Sequence, residues 1–383
     1  MRVLMVSSNW PPASGGGAEA YVADLTAALR ETGHVVGAVT LGITGDDVVA
    51  TVTPRPHRLN EHGASSAWRK ALFHGADVWR PDVTRTLQRA VERFRPDVVH
   101  THVVAGMSVT ALTAPSRIGV PHVHTLHDHW LRCWRSTGTT AQQLPCGPAC
   151  TAVERFRMGA LRGHGPDVVI GISQSVLSSH RWLHLQAPHA VVIRHPAETI
   201  PAAAPVPRHG PPVFGFLGQL NPNKGVSVFL GAARRMSASG MRFIVAGRGR
   251  LQAEVAAAGI DGLEYRGWVG AAEKEQFFRD IHCLVVPSLW QEPAGLVVRE
   301  AAARGIPVIA SDVGGLPEYV PSSCRPLLFT PGDVIALELK MQLFAATPEA
   351  FRVDPAEAGS WPEHLGEVIA AYDTARSFTP VAA

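Results

Sequence analysis

The run Glu292-Pro-Ala-Gly-Leu-Val-Val-Arg-Glu300 sets two carboxylates apart with seven residues between them, the first just ahead of a helix and the second inside it. Pro293, Ala294 and Gly295 break the strand-like run Cys283-Leu-Val-Val-Pro-Ser288 and open a helix predicted to reach about Arg304. A helix start leaves N–H groups without intrahelical partners and carries the positive end of the aligned peptide dipoles. The backbone at Ala294, Gly295 and Leu296 can therefore receive a diphosphate with no metal. Glu292, at the mouth, would accept hydrogen bonds from sugar hydroxyls. Glu300, a turn or more further along, would take the two hydroxyls of a ribose. An isolated pair of this kind reads more readily as two solvated helix carboxylates; its neighbours favour the sugar nucleotide.

Lysine is scarce here, with Lys70, Lys224, Lys274 and Lys340 the only four among 35 basic residues. Lys224 stands in Gly218-Gln-Leu-Asn-Pro-Asn-Lys-Gly225, a loop that leaves a strand. Its ammonium would neutralise charge growing on a departing diphosphate; the plainer alternative is an exposed loop cation. Near the N-terminus, Gly15, Gly16 and Gly17 lead into a helical pattern from Ala18 to Leu29. Such a loop lets backbone approach a phosphate, and because it is not G-x-G-x-x-G it is not read as a dinucleotide site.

Pro121-His-Val-His-Thr-Leu-His-Asp-His-Trp130 puts four histidines on a strand and its exit loop. Alternation sends His122, His124 and Leu126 to one face, Val123 and Thr125 to the other. His127 and Asp128 emerge at the carboxyl end, where parallel sheets bind ligands. His100 and His102 close a neighbouring strand, and Trp10, His102 and Trp130 would give a pocket suited to a small polar acceptor. For His100, His122, His124 and His129 a structural role is the expectation. Cys133, Cys146 and Cys150 fall in one loop-rich segment whose spacing matches no strong zinc template, so reduced structural thiols, a structural metal and a disulfide all stay open.

Short apolar runs alternate with helical patterns, the signature of parallel sheets with crossover helices. The first half offers strands at 2–7, 35–41, 97–101, 122–126, 168–172 and 191–194; the second half at 213–217, 242–246, 263–266, 284–287 and 308–311. The proline-dense stretch between them forbids regular helix or sheet. Residues 1–195 thus form one Rossmann-like domain, 196–212 a linker, and 213–360 a second Rossmann-like domain. Residues 361–383 form a terminal helix and a tail that frays after Arg376.

A chain of 383 residues, 46% hydrophobic and 17% charged, is long enough for two cores. A net charge of +3 is too small to imply a nucleic-acid partner. No apolar run approaches the roughly 18 residues of a spanning helix, and Met1 to Ser7 turns into a loop too soon for a signal peptide, so the expected location is cytoplasmic. Two basic, partly amphipathic stretches, 68–74 and 155–162, leave peripheral membrane contact open beside the alternative of ordinary surface helices. Oligomeric state is not legible.

Trp290-Gln-Glu-Pro-Ala-Gly-Leu-Val-Val-Arg-Glu-Ala301, with Gly305-Ile-Pro-Val-Ile-Ala-Ser311 and Gly314-Gly-Leu-Pro-Glu318, resembles the donor-site signature of retaining family 4 glycosyltransferases. Gly218 to Gly225 is similar to that family's phosphate-gripping loop, and Pro12 to Glu19 to its N-terminal glycine loop. The resemblance implies the GT-B architecture, two facing Rossmann-like domains with a deep cleft and a C-terminal helix crossing back to the first. It implies transfer of a sugar from a nucleoside-diphosphate sugar, with no cofactor or metal beyond that co-substrate. It places Gly16, Gly17 and Glu19 by the reaction centre, His127 near the transferred sugar, and Lys224 and Glu292 in catalysis. The segment Tyr265-Arg-Gly-Trp-Val269 resembles the one that holds the base through Trp268 and Val269, the alternative being a core tryptophan. Gln219 stands where the family usually carries arginine, so Arg248 would substitute or diphosphate binding would weaken. On the acceptor side the implied residues are Trp10, Glu19, His102, Asp128 and Trp130, facing a small polar molecule such as a natural-product scaffold. A sugar-nucleotide 2-epimerase and a non-catalytic sugar-nucleotide-binding module are the rival functions.

Overall fold

The computed structural model describes residues 1–10, 16–54, 79–133, 136–137, 147–180, 183, 187–197 and 210–378. The tip of the glycine loop at Gly15, the stretch 68–74, Cys146, most of the linker and the final residues of the tail lie outside them. The chain divides into two units. One takes the residues through His195 and again from Pro362, and the other runs from Pro196 to Trp361.

The first unit is built on a seven-stranded sheet, all its strand pairs parallel, in the order β3-β2-β1-β4-β5-β6-β7. Its strands are β1 Arg2–Ser7, β2 Val35–Leu41, β3 Val48–Val52, β4 Val98–Thr101, β5 His122–Leu126, β6 Val168–Gly171 and β7 His189–Val192. β1 and β5 are buried along nearly their whole length, because crossover helices cover both faces of a parallel sheet; β1 meets that demand with an apolar run, and β5 with His122, His124 and Thr125 each hydrogen-bonded. The second unit has a six-stranded parallel sheet in the order β10-β9-β8-β11-β12-β13. Its strands are β8 Val213–Leu217, β9 Arg242–Ala246, β10 Leu263–Tyr265, β11 Cys283–Val286, β12 Val308–Ser311 and β13 Leu328–Phe329. Phe214, Phe229, Phe243, Phe277 and Phe344 are buried in its core.

Two strands were not expected from sequence, β3 and β13, and both lie at sheet edges. β3 is only half-buried over most of its length and β13 has two residues, so neither produces a clear apolar signal. β7 starts two residues before its predicted position. In each sheet the strand order reverses once, between β1 and β4 in the first and between β8 and β11 in the second. Loops leaving the carboxyl ends of those strands diverge to opposite faces and open a crevice. Both crevices coincide with the candidate residues.

Helix Trp361–Phe378 buries Leu365, Val368, Ala371, Tyr372 and Ala375. Tyr372 shares a 2.8 Å hydrogen bond with His100 Nδ1 of β4, and His364 Nε2 lies 2.9 Å from the hydroxyl of Tyr21 on helix Gly17–Glu31. These buried polar pairs tie the last helix to the first unit.

Candidate active site

In the second unit, β8 ends at Leu217 and the chain makes a 3-10 turn, Pro222–Lys224, before helix Val226–Arg235. Gly225 closes that turn at φ 73°, and a Cβ there would stand 1.7 Å from the Pro287 carbonyl oxygen after β11. Only glycine permits this approach. It brings Lys224 beside the β11 loop, where Nζ donates to Glu292 Oε1 at 2.6 Å. Ser288 Oγ donates to the same oxygen at 2.7 Å. Glu292 is 6% exposed and held by its backbone, its carbonyl accepting from Gly315 N at 2.6 Å. Gly314, at φ 60°, presses against it so closely that a Cβ would lie 2.5 Å from the Glu292 carbonyl oxygen. The Lys224 ammonium also stands 5.1 Å from the centre of the Trp290 ring, a cation–π contact. Lys224 is thus a partly covered, paired cation rather than a loose surface one.

Helix Leu296–Ala303 follows, with Gly295 at its N-cap and no side chain capping it, so the first N–H groups remain available to an anion. Glu300, on this helix, accepts from Lys274 Nζ at 3.2 Å, a partner that the spacing did not reveal. Gln219 Oε1 accepts from Asn221 Nδ2 at 3.1 Å. Arg248 lies 5.7 Å from the Trp268 ring, and Trp268 is 64% exposed, which overturns the core-tryptophan alternative. Val269 is half-buried beside it.

In the first unit, β1 runs out through Asn9 to the buried Trp10, and Asn9 Nδ2 donates to Glu19 Oε1 at 2.6 Å. Gly16 caps helix Gly17–Glu31, and a Cβ on it would meet the Glu19 carboxylate at 2.8 Å. The carboxyl ends of β4 and β5 bring His102 Nδ1 to 3.1 Å from His127 Nε2. The ring of Tyr21 lies 5.3 Å from that of His127 and stacks on His195 at 3.8 Å. The cavity among His102, His124, His127, Asp128 and Trp130 holds about 10 Å³, room for one water and not for a sugar ring.

Burial makes this region hostile to positive charge. His127 is pushed down to about 3, chiefly by burial and then by His124, and His124 to about 4 by burial alone, a bond to the Thr101 carbonyl opposing it. His100, His102 and His122 are likewise held well below the ordinary range, burial first and neighbouring histidines second. Asp128 moves the other way, raised to about 6 by burial although Trp130 N and Arg157 favour its anion. The Trp130 ring lies under the Arg157 guanidinium at 4.3 Å, so it packs inward and is only 4% exposed.

The structural histidines find their partners. His100 bonds Tyr372 and Thr125, while His122 and His124 both reach Thr101, as the strand alternation requires. His129 lies 3.2 Å from Ser179 Oγ. Cys133 and Cys150 stand with sulfurs 3.8 Å apart, well beyond the roughly 2 Å of a disulfide. Among the described residues no three of His, Cys, Asp or Glu converge as a metal would need. Ser288, Trp290, Lys274, Tyr21, His195 and His364 escaped the sequence reading. Ser288, a polar residue ending a strand four positions before Glu292, was the one with a usable signal.

Two family profiles match in succession, one described as Glycosyltransferase Family 4 over residues 15–200 and one as Glycosyl transferases group 1 over residues 211–345. A glycogen synthase of Mycobacterium tuberculosis is 29% identical over 382 residues, 91% of this chain and 87% of that protein. A 2-deoxystreptamine glucosyltransferase of Streptomyces kanamyceticus is also 29% identical, over 351 residues, 82% of this chain and 85% of that one. An Anabaena protein solved in complex with UDP superposes with a TM-score of 0.67 at 18% identity, over 99% of each chain. No helix among the described residues is long and apolar enough to cross a membrane. With both sheets, both switch points and both profiles in register along the sequence, the chain belongs to the family 4-like glycosyltransferases of GT-B fold.

Proposed function

We propose that the protein moves a sugar, with retention at the anomeric carbon and without a metal, from a nucleoside-diphosphate sugar to a small polar acceptor. The observation that carries this is the Lys224–Glu292–Ser288 cluster at the β8/β11 switch point, beside an uncapped helix start. The diphosphate would lie along the N–H groups of Gly295 and Leu296. Lys224 has two N–H donors beyond the one spent on Glu292, and these would meet the leaving phosphate as its charge grows. Glu292 would keep one oxygen for Lys224 and Ser288 and offer the other to a sugar hydroxyl, fixing the ring. Glu300, steadied by Lys274, would take the ribose, and Trp268 with Val269 would border the base. Arg248, across the Trp268 face, supplies the cation that Gln219 does not.

In the first unit Gly16, Gly17 and Glu19 would border the reaction centre, and His127 would face the transferred sugar. Trp10, His102 and Trp130, all buried, would shape the acceptor side from behind, with Asp128 at its edge. The likeness to a 2-deoxystreptamine glucosyltransferase supports a small hydroxylated acceptor and a place in natural-product biosynthesis. Retention comes from the family, and a departing phosphate can itself take the acceptor proton.

A panel of UDP-, GDP- and dTDP-linked hexoses tests this by slow release of nucleoside diphosphate. Release that disappears in Glu292→Ala and Lys224→Ala supports transfer. Binding without release would point to a binding module, and an altered sugar formed in water to an epimerase.

A further inference from the structure

His102 was expected to touch the acceptor, yet it is 2% exposed and both ring nitrogens face protein atoms. Nδ1 lies 3.1 Å from His127 Nε2, and Nε2 lies 3.4 Å from the Met5 sulfur in β1. His127 Nδ1 is buried and has no hydrogen-bond partner. Burial and the crowd of histidines keep both rings neutral, so each carries one proton.

The contact between the two rings needs one donor and one acceptor, which leaves two arrangements. In one, His102 Nδ1 donates to His127, its own Nε2 turns a bare lone pair on the sulfur, and His127 carries its proton on Nδ1. In the other, His102 Nε2–H points at the sulfur, a weak acceptor, and His102 Nδ1 accepts from His127 Nε2–H. A lone pair against a sulfur lone pair gains nothing, whereas N–H against sulfur is attractive, so the second arrangement is favoured.

We propose that His102 is a positioning residue that, oriented by the Met5 sulfur, holds His127 as its Nε2–H tautomer and leaves its Nδ1 bare as an acceptor. This rests on the reading of His127 as a group facing the transferred sugar. A bare Nδ1 accepts and cannot donate. Any group that comes to hydrogen-bond it must therefore bring a hydrogen, as a hydroxyl or amine does, and a carbonyl, carboxylate or phosphate oxygen at that point is rejected. With its basicity so depressed, His127 holds a hydroxyl in place and does not take its proton in the ground state.

The test is a two-bond proton–nitrogen correlation spectrum of the full chain labelled with 15N-histidine at pH 7.5, with His127 and His102 assigned through His127→Asn and His102→Asn. The expected wild-type spectrum shows His127 Nδ1 unprotonated and Nε2 protonated. In Met5→Leu, which keeps the bulk and removes the acceptor, the His127 signals should move toward tautomer-averaged positions, and in Met5→Gln, whose amide oxygen can accept from His102 Nε2–H, they should return. A protonated Nδ1 on wild-type His127 overturns the proposal, as does a Met5→Leu spectrum unchanged at both rings. Should Met5→Leu fail to fold, the wild-type spectrum still decides. A chain with the expected spectrum that releases no nucleoside diphosphate from any donor would sink the transferase reading and leave the tautomer assignment standing.

Discussion

The two switch points share one geometry and hold opposite chemistry. At β8/β11 the second unit keeps ions, with Lys224 on Glu292 and, along the helix that follows, Lys274 on Glu300. At the carboxyl ends of β4 and β5 the first unit keeps neutral rings, His102 against His127. A crevice that must grip a diphosphate needs charge that is already paired, because an unpaired buried ion is costly. The hydroxyl binding proposed for the first unit would be better served by uncharged donors and acceptors in fixed tautomers. The same topology therefore carries two kinds of side-chain environment, decided by the residues on the loops that leave the strands.

Acid should separate the two units more than any substitution. A histidine whose folded pKa is lowered costs nothing above about pH 6.5, where both states are neutral. As pH falls below that, the unfolded chain takes a proton the folded one refuses, and stability drops until the folded pKa is reached. Each fully suppressed histidine withholds about 1.4 kcal/mol one pH unit below 6.5. Asp128 works the other way in the same window: its folded pKa of about 6 lies above the usual 3.8, so it recovers part of the loss between them. The second unit's Glu275 is held low by Arg304, and its contribution persists until pH falls below the ordinary carboxylate range. Hydrogen exchange at pH 7.5 and 5.5 should thus show β4 and β5 opening at the lower pH, by on the order of several kcal/mol, while β8 and β11 stay protected. Equal loss in both sheets would break the comparison.

Glu292→Ala comes next. It removes the proposed sugar contact and the carboxylate that Lys224 pairs with, so kcat/KM for nucleotide release should fall roughly 10²- to 10³-fold in steady-state assays. Lys224→Ala should cost about 10²-fold, mostly in kcat, with Lys224→Arg restoring part of it, since the charge returns without the point-like fit. An unchanged rate in either alanine variant would remove the second unit's charge from the chemistry. The smallest effect is structural: Tyr372→Phe deletes a buried bond to His100 and should lower stability by about 1 kcal/mol in urea titrations, with donor affinity unaltered by calorimetry.

Much of this was legible in the chain. The apolar runs that became β1, β2, β8, β9 and β12 were visible because a strand buried on both faces is mostly apolar. Glu292 and Lys224 could be singled out because proline and glycine punctuate the chain around them. The edge strands β3 and β13 could not, since half-exposed or two-residue segments impose no pattern. Nor could Trp268, where an aromatic beside glycine fits core and surface equally well.

Residue types and local spacing thus determined which segments are strands, where the helix after Glu292 opens, and which side chains stand at strand ends. Only tertiary structure decided that Lys224 meets Glu292, 68 residues away, that His100 meets Tyr372 across 272, and that His102 meets His127 across 25. Periodicity reports which face of an element is buried. It carries no record of which strand lies alongside, and strand order is settled by how helices and sheet close over a shared core.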